Sequence, residues 1–245
     1  DLETQRLAVL GISNIAVDPS TRPTLAFLGA LPSIISLACT DEDANDQKAA
    51  IATLRGMSAE PEARRLLVTN GALDALSRAA QNFHGDKDVP REAAAALCAL
   101  SLNWENKRSI SQHFVFNDLV AFLQMTDYTT VRFAIAAVAN LTEDDDTHHA
   151  FSPNLLRVMC DLANEAGDVA IPRESIRALS NLASNYESHD KLLSESVPLT
   201  FCYGLRRDDG ITARFAAIGV LNLCAVPENH AALLAVEDDR GNNKN

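Results

Sequence analysis

The sequence predicts an all-α fold in which three-helix repeats stack into a solenoid. Two observations predict it: strand formers are scarce while Ala and Leu are abundant, and six windows along the chain share one pattern of residues. The 245 residues are 47% hydrophobic, and the chain has no Gly/Ser or Pro tract, so it can bury a large core. The balance of intrinsic propensities then favours helix over strand.

The six windows align on a basic residue, here called the anchor. They read RLAVLGISNIA from Arg6, KAAIATLRGMS from Lys48, REAAAALCALS from Arg91, RFAIAAVANLT from Arg132, RESIRALSNLA from Arg173 and RFAAIGVLNLC from Arg214. The anchors lie 42, 43, 41, 41 and 41 residues apart. A small residue follows each anchor by two positions and apolar residues follow by six and nine, which is the spacing of one apolar helix face. Each window therefore predicts the long third helix of a repeat.

The chain between anchors has room for two further helices in each repeat. A short one such as EARRLLVT precedes a longer one such as GALDALSRAAQ, and polar turns separate them. Pro90 and Pro172 stand directly before anchors, where a missing N–H costs little, and we expect them to start third helices. A unit of about 41 residues cannot bury its apolar faces alone, so neighbouring repeats stack around one core.

The period, the GALPSI of Gly29 to Ile34, the GALDAL of Gly71 to Leu76 and endings such as SNLA and LNLC resemble armadillo repeats. HEAT repeats, the competing solenoid, have two helices per unit and usually lack the Gly-Ala start of the second helix. The resemblance implies a right-handed superhelical solenoid of three-helix armadillo repeats over residues 1–236, with five to six repeats, the first and last incomplete. Residues 237–245 are expected to form a polar, disordered tail. The stretch Leu10 to Ile35 has a weaker likeness to the vacuolar armadillo scaffold proteins of fungi.

An asparagine recurs eight residues after the anchor. The six residues at this position are Asn14, Gly56, Ala99, Asn140, Asn181 and Asn222. Asn is an indifferent helix former that competes with the backbone for hydrogen bonds, so its recurrence inside long helices requires a reason. In armadillo proteins this position faces the concave groove, where the resemblance implies that the amide clamps the backbone of an extended peptide. The alternative is an amide that caps a neighbouring helix or bonds across repeats inside the solenoid.

The same helix face carries further candidates for partner binding. Phe133 and Phe215 follow their anchors by one position and could form apolar pockets or pack between repeats, and Arg177 follows its anchor by four. Nuclear-import adaptors carry Trp at the position four residues after the anchor. In this sequence Trp104 is instead predicted to lie in a loop beyond a third helix. A receptor for nuclear localisation signals is therefore not predicted. The predicted partner-binding residues are Asn140, Asn181, Asn222, Asn14, Arg177, Phe133 and Phe215.

The charges and the short motifs narrow the function classes. The net charge of −12 argues against nucleic-acid binding, because a protein that binds nucleic acid needs a clustered basic surface. The acidic stretches Asp41 to Gln47 and Glu143 to Asp146 are either solvated loops that supply an N-cap or a rim that attracts a basic partner segment. Adjacent His148 and His149 lack the i, i+4 spacing of two metal ligands on a helix. No nucleotide-binding, hydrolase or metalloprotease motif occurs, so we expect no enzyme, metal or cofactor.

The leading hypothesis is a non-catalytic scaffold or adaptor that binds an extended or helical partner segment in its groove. The alternative is a structural subunit of a cytoskeletal or ciliary assembly, and the adaptor half of a ubiquitin ligase would need a catalytic module elsewhere. The five cysteines form no CxxC pair and mostly fall in apolar helical stretches, which is typical of reduced thiols in a cytoplasmic or nuclear protein. No apolar stretch reaches the ~18 residues of a membrane span, although flanking sequence could tether the protein to a membrane.

The two ends of the sequence fall close to third helices. The chain opens inside one and stops soon after another, so we expect a truncated solenoid with apolar faces at both ends. Leu7, Val9 and Ile12 then lack a preceding repeat, and further repeats or self-association would cover them.

Overall fold

The computed structural model describes residues 2–40, 43–81 and 87–235, and these residues form helices, turns and loops without a strand. The all-α prediction is therefore confirmed. The chain forms two compact units, residues 1–141 and 142–245, the first ending with the fourth of the six windows. Asp41 and Glu42 of the first acidic stretch and the tail 237–245 lie outside the described residues.

The first unit contains four long third helices with pairs of shorter helices between them. Its helices are α1 (Leu2–Ile15), α2 (Arg22–Phe27), α3 (Leu31–Ala38), α4 (Ala44–Ser58), α5 (Pro61–Thr69), α6 (Ala72–Gln81), α7 (Asp88–Leu100), α8 (Trp104–Gln112), α9 (Val115–Phe122) and α10 (Tyr128–Leu141). The long helices α1, α4, α7 and α10 lie side by side, and α3, α6 and α9 pack behind them. Trp104 is the first residue of α8 rather than a loop residue, because Asn103 caps that helix by accepting from the Glu105 N–H at 3.0 Å.

The second unit continues the pattern with two long helices. Its helices are α11 (Pro153–Ala163), α12 (Ala170–Leu182), α13 (His189–Ser194), α14 (Val197–Leu205), α15 (Gly210–Cys224) and α16 (His230–Leu234). The long helices α12 and α15 pack against each other and against α11 and α14. Its first short helix is a 3-10 helix, Asp145–Ala150, instead of an α-helix.

Among the described residues, no single helix combines the length and the apolarity that a membrane span needs. Gly210–Cys224 and Pro227–Leu234, bent by 103° at their junction, meet that test of length and composition only as a pair.

Each of the six windows lies in a long helix, and four of them extend one residue beyond its end. These helices begin three or four residues before their anchors, so Pro90 and Pro172 are the third residues of α7 and α12 rather than their starts. From the second window on, the small residues two after the anchor are fully buried: Ala50, Ala93, Ala134, Ser175 and Ala216. Because these side chains are small, the long helices can approach closely, as the repeat pattern predicts.

The first window departs from this pattern. Ile15 is 52% exposed and Leu7 is 58% exposed, whereas Val9, which we expected on the uncovered end, is fully buried. The prediction for Val9 is wrong because α1 packs on α3 and α4, and Val9 points into that contact. Ile12 is half-buried.

Several of the anchors join consecutive long helices by ion pairs. Lys48 lies 2.6 Å from Asp88, Arg91 lies 3.0 Å from Asp127, and in the second unit Arg173 lies 2.9 Å from Asp209. The Arg91 guanidinium, through its hydrogen bonds, lowers the pKa of Asp127 to about 2. Asp127 also accepts from the Thr130 N–H at 2.9 Å, so one carboxylate caps its own helix and binds the anchor of the preceding one.

A second recurring position, sixteen residues after the anchor, caps the C-terminal ends of the long helices. Sixteen residues after each anchor stands a basic side chain or a histidine, and five of these side chains meet a carbonyl oxygen at a long-helix end, six residues earlier in sequence. The pairs are Arg22 with Ala16 (2.8 Å), Arg64 with Ser58 (3.0 Å), and His148 with Thr142, His189 with Ala183 and His230 with Cys224 (each 2.9 Å). A ring or guanidinium N–H thus satisfies a carbonyl that the helix leaves unpaired.

Candidate protein-interaction faces

Two surfaces carry the predicted partner-binding residues, one in each unit. Each is the face of the long helices formed by residues one, four and eight after the anchors. The first face lies on α1, α4, α7 and α10 and carries Asn14, Phe133 and Asn140. The second face lies on α12 and α15 and carries Arg177, Asn181, Phe215 and Asn222. Each unit thus brings together its own share of the predicted residues.

Asn140 is buried in the first unit and hydrogen-bonded to it. It is only 6% exposed, and its Nδ2 donates to the Ser101 hydroxyl at 3.0 Å and to the Cys98 carbonyl at 3.5 Å. Both acceptors lie at the end of α7, the preceding long helix, so this amide makes the bond across repeats that the sequence left as the alternative. Its role in partner binding stays a prediction.

Asn181 and Asn222 are more accessible, and both are half-buried. The Nδ2 of Asn181 donates to the Thr142 hydroxyl at 3.1 Å, and the Nδ2 of Asn222 donates to the Ser180 carbonyl at a longer 3.4 Å. These bonds turn each amide nitrogen towards the preceding repeat. The two amides are therefore oriented alike at matching positions on neighbouring helices.

Arg177 is held by two carboxylates on the second face. Its guanidinium lies 2.6 Å from Glu143 and 2.6 Å from Glu174, and its side chain is 17% exposed. Two acidic groups around one basic group leave the cluster with a net negative charge. Glu143 opens the acidic stretch at the end of α10, and Asp144 caps the 3-10 helix that follows by accepting from the Asp146 N–H at 3.2 Å.

The phenylalanines differ in accessibility. Phe133 on α10 is 36% exposed, and Phe215 on α15 is half-buried. Neither stands at a helix start, because α10 begins at Tyr128 and α15 at Gly210. Each places part of an aromatic ring on its face, where a partner could cover it.

His148 has a structural position. It is 4% exposed and its Nε2 meets the Thr142 carbonyl, while the exposed His149 is not part of that bond. Among the residues that the structure describes, no group of three or more His, Cys, Asp or Glu side chains is arranged to hold a metal ion. The thiol of Cys160 is buried, and burial raises its pKa to about 11.

Asn14 borders an open cavity of about 430 Å³ in the first unit. Its lining comes from α1, the turn after it, α4 and one residue each of α2 and α7: Ser13, Asn14, Ala16, Val17, Arg22, Ala49, Ala52, Thr53, Arg55, Gly56 and Glu92. Sequence reasoning missed Arg22 here, although a basic residue or histidine sixteen positions after every anchor was a readable signal.

The fold is that of armadillo-repeat proteins. A computationally designed armadillo protein for modular peptide recognition matches with a TM-score of 0.80 at 20% identity, over 91% of this chain and 94% of that one. A designed armadillo protein in complex with the peptide (KR)4 matches with a TM-score of 0.77 at 19% identity, over 91% and 94%. An engineered protein matches with a TM-score of 0.79 at 24% identity, over 92% of both chains. At these identities the likeness shows the fold alone.

Sequence comparison adds no closer relative: the chain matches no protein-family model and no curated protein. The narrower likeness to vacuolar scaffold proteins stays a prediction.

Proposed function

We propose that this armadillo-fold chain is a non-catalytic scaffold or adaptor that binds an extended, basic segment of a partner protein on its second face. The observation that carries the proposal is the pair Asn181 and Asn222, half-buried at matching positions on α12 and α15 and oriented alike by their Nδ2 hydrogen bonds. An amide offers donors and an acceptor together, so it can bind a peptide unit whatever side chain that unit carries.

The spacing of the long helices suits an extended ligand. Packed helices lie about 8–10 Å apart, and an extended chain advances about 3.3 Å per residue. Two amides on neighbouring helices can therefore engage main-chain groups two or three residues apart. Residues between these contacts are left to set the preference for side chains.

Charge favours a basic ligand. In residues 142–245, acidic side chains outnumber basic ones by 17 to 9. On the second face itself, Glu143 and Glu174 surround the single guanidinium of Arg177. A Lys or Arg side chain of a partner would gain favourable interactions with this cluster, and the surrounding negative charge would speed its approach. The designed armadillo protein that holds (KR)4 is a precedent for such a ligand on this fold.

Fluorescence anisotropy with a labelled (KR)4 peptide tests the proposal, with (EG)4 as the acidic counterpart. We expect (KR)4 to bind and (EG)4 not to bind, and we expect the affinity to fall as salt is raised. Asn181→Ala combined with Asn222→Ala should weaken (KR)4 binding by at least about tenfold, because each desolvated amide is worth about 1–3 kcal/mol. Glu174→Gln should weaken it as well.

Asn154→Ala supplies the matched control, since Asn154 is exposed on α11, away from the second face. It should bind (KR)4 like the wild type. Equal binding of (KR)4 by the wild type and the Asn181/Asn222 double variant would place the ligand elsewhere. Binding of (EG)4 in preference to (KR)4 would contradict the basic partner.

A further inference from the structure

Neighbouring long helices in each unit pack through two recurring sets of residues. In the later helix of a pair, the residues two, five and nine after the anchor are buried, and in α7 these are Ala93, Ala96 and Leu100. In the earlier helix, the residues three and ten after the anchor are buried, and in α4 these are Ile51 and Ser58. We call the first set the upstream face of a long helix. The second set, together with the residue seven after the anchor, is its downstream face.

Hydrogen bonds show how these faces meet across repeats. Thr53 of α4, five residues after its anchor, donates from its hydroxyl to that of Ser13 of α1, seven residues after its own anchor, at 2.8 Å. Asn140 of α10, eight residues after its anchor, donates to the carbonyl of Cys98 of α7, again at position seven, at 3.5 Å. Position seven of one long helix therefore meets positions five and eight of the next.

The upstream face of α1 is uncovered. Its residues Ala8, Gly11 and Ile15 are exposed, whereas the corresponding residues of α4, α7, α10 and α15 are all buried. A Cβ built on Gly11 would meet no neighbouring atom within 4 Å. Gly11 thus leaves a gap between Ala8 and Ile15 on an otherwise aliphatic surface.

The downstream face of α15 is uncovered in the same way. Ala217, Leu221 and Cys224 are exposed, whereas the residues three and ten after the anchors of α1, α4 and α7 are buried. Leu221 is 67% exposed and stands at position seven, where those three helices carry a serine, an arginine and a cysteine. This face therefore presents a large aliphatic side chain to solvent.

These two uncovered faces are the two halves of one repeat junction. We propose that the downstream face of α15 in one copy of this chain binds the upstream face of α1 in a second copy, so that copies join head to tail. Because position seven meets position five, Leu221 of one copy lies in the gap at Gly11 of the next, and both faces are removed from water. The inference goes beyond the proposed function, since its partner is a second copy and not a peptide segment.

The charges at the anchors favour the same arrangement. Within the first unit, Lys48 of α4 lies 2.6 Å from Asp88, which stands three residues before the anchor of α7 and also lies 3.2 Å from that anchor. Glu3 likewise stands three residues before the anchor of α1 and lies 3.3 Å from it. Arg214, the anchor of α15, is exposed and makes no ion pair among the described residues. Head-to-tail docking brings Arg214 to Glu3 as Lys48 is brought to Asp88.

Asn14 gains a hydrogen bond in this arrangement. It is exposed, and within the part of the chain that the structure describes its side chain makes no hydrogen bond. At the same repeat position, Asn140 and Asn222 donate to the carbonyl at position seven of the preceding long helix, at 3.5 and 3.4 Å. In a head-to-tail pair that carbonyl belongs to Leu221, so Asn14 obtains the partner that its counterparts have.

A second copy supplies both halves of the junction, which residues 236–245 cannot do. These ten residues contain a single aliphatic side chain, Val236, and so lack the apolar stripe that could cover α15. A head-to-tail contact leaves one face uncovered at each end of a pair, so further copies can add.

Sedimentation velocity of the 245-residue chain over a concentration series tests the inference. We expect the weight-average mass to rise from 26.4 kDa past the mass of a dimer, because the assembly is open. Leu221→Gln removes the aliphatic contact from the downstream face, and Gly11→Gln fills the gap in the upstream face. Each should weaken assembly by at least about tenfold, the value of one buried leucine side chain.

Both substituted side chains lie on exposed positions, so both variants should keep the helicity and melting temperature of the wild type in circular dichroism. Leu102→Gln is the matched control. Leu102 is 55% exposed after α7 and belongs to neither face, so this variant should assemble like the wild type.

Mixing the two variants distinguishes a head-to-tail contact from a symmetric one. Leu221→Gln keeps an intact upstream face, and Gly11→Gln keeps an intact downstream face. An equimolar mixture should therefore form a dimer and nothing larger, at concentrations where each variant alone is a monomer. If one variant alone dimerised as strongly as the mixture, a symmetric contact would replace the proposed one.

Two further results would overturn the inference. A wild type that stays monomeric at about 1 mM would leave both faces to further repeats or to another protein. A wild type that assembles while the mixture of variants stays monomeric would show that copies associate through other surfaces.

Discussion

Asn140 offers the sharpest test of how the recurring asparagines divide between stability and binding. Asn140→Ala removes one hydrogen bond of good length, 3.0 Å to Ser101, and a marginal one, 3.5 Å to Cys98, from a side chain that is 6% exposed. The loss of both bonds and of the buried amide should cost about 1.5–2.5 kcal/mol. Ser101 is not left unpaired, since its hydroxyl donates to the Cys98 carbonyl at 2.7 Å. Alanine returns about 0.6 kcal/mol through its better helix propensity.

The net expectation for Asn140→Ala is a loss of about 1–2 kcal/mol, or about 2–8 °C in melting temperature for a chain of this size. Asn222→Ala is the matched control on the same repeat position. Its bond of 3.4 Å is weak and its side chain half-buried, so the helix propensity of alanine should nearly offset the loss and leave stability within about 0.5 kcal/mol of wild type. Urea unfolding and thermal melts followed by circular dichroism measure both. Equal stability of Asn140→Ala and wild type, or a larger loss in Asn222→Ala, would refute the reasoning.

Three further predictions concern the packing and the charges. Asp127→Asn keeps a capping side chain but loses the ion pair with the preceding anchor; the lowered pKa of Asp127 means that this stabilisation is present above about pH 4 and vanishes towards pH 2. The difference in unfolding free energy between wild type and variant should therefore shrink over that range, and a constant difference would contradict the role of charge. Gly219→Ala brings a Cβ within 2.3 Å of the buried Phe201 ring and should cost about 1–3 kcal/mol in urea unfolding, despite the better helix former. Ala183→Ser should stabilise the chain by about 0.5–1 kcal/mol, because its hydroxyl can accept from Asn222 as Ser101 accepts from Asn140, and no gain would contradict this explanation.

The helices were predictable because their signal is repeated. One window such as that at Arg132 cannot distinguish a long third helix from any other apolar helix, but six windows at a constant period can. The same repetition located the small residues between the long helices, including Ala93 and Ala134, which are fully buried. The helix starts were harder to predict, because Asp127 and Asp209 cap α10 and α15 five residues before the anchors.

The candidate faces were predictable by position but not by exposure. The sequence places Asn140, Asn181 and Asn222 at one repeat position, and the structure gives them different burial and different bonds. The cavity on the first face was not foreseen at all. At Gly56 the sequence shows only that the amide is absent, because the side chain that borders the space, Arg22, is the first residue of the separate helix α2.

A neighbouring position explains why one asparagine is locked and another is not. Ten residues after the preceding anchor, Asn140 meets the hydroxyl of Ser101 at 3.0 Å and Asn181 meets that of Thr142 at 3.1 Å, whereas the residue that corresponds for Asn222 is Ala183. Without a hydroxyl, Asn222 reaches only a backbone carbonyl at 3.4 Å. An amide in a strong hydrogen bond is already ordered, but the N–H in that bond cannot also bind a ligand. An amide in a weak hydrogen bond can donate to a ligand more readily, but it must be ordered on binding. Substituting a hydroxyl at position 183 therefore exchanges binding capacity for stability, and the two can be measured on the same variant.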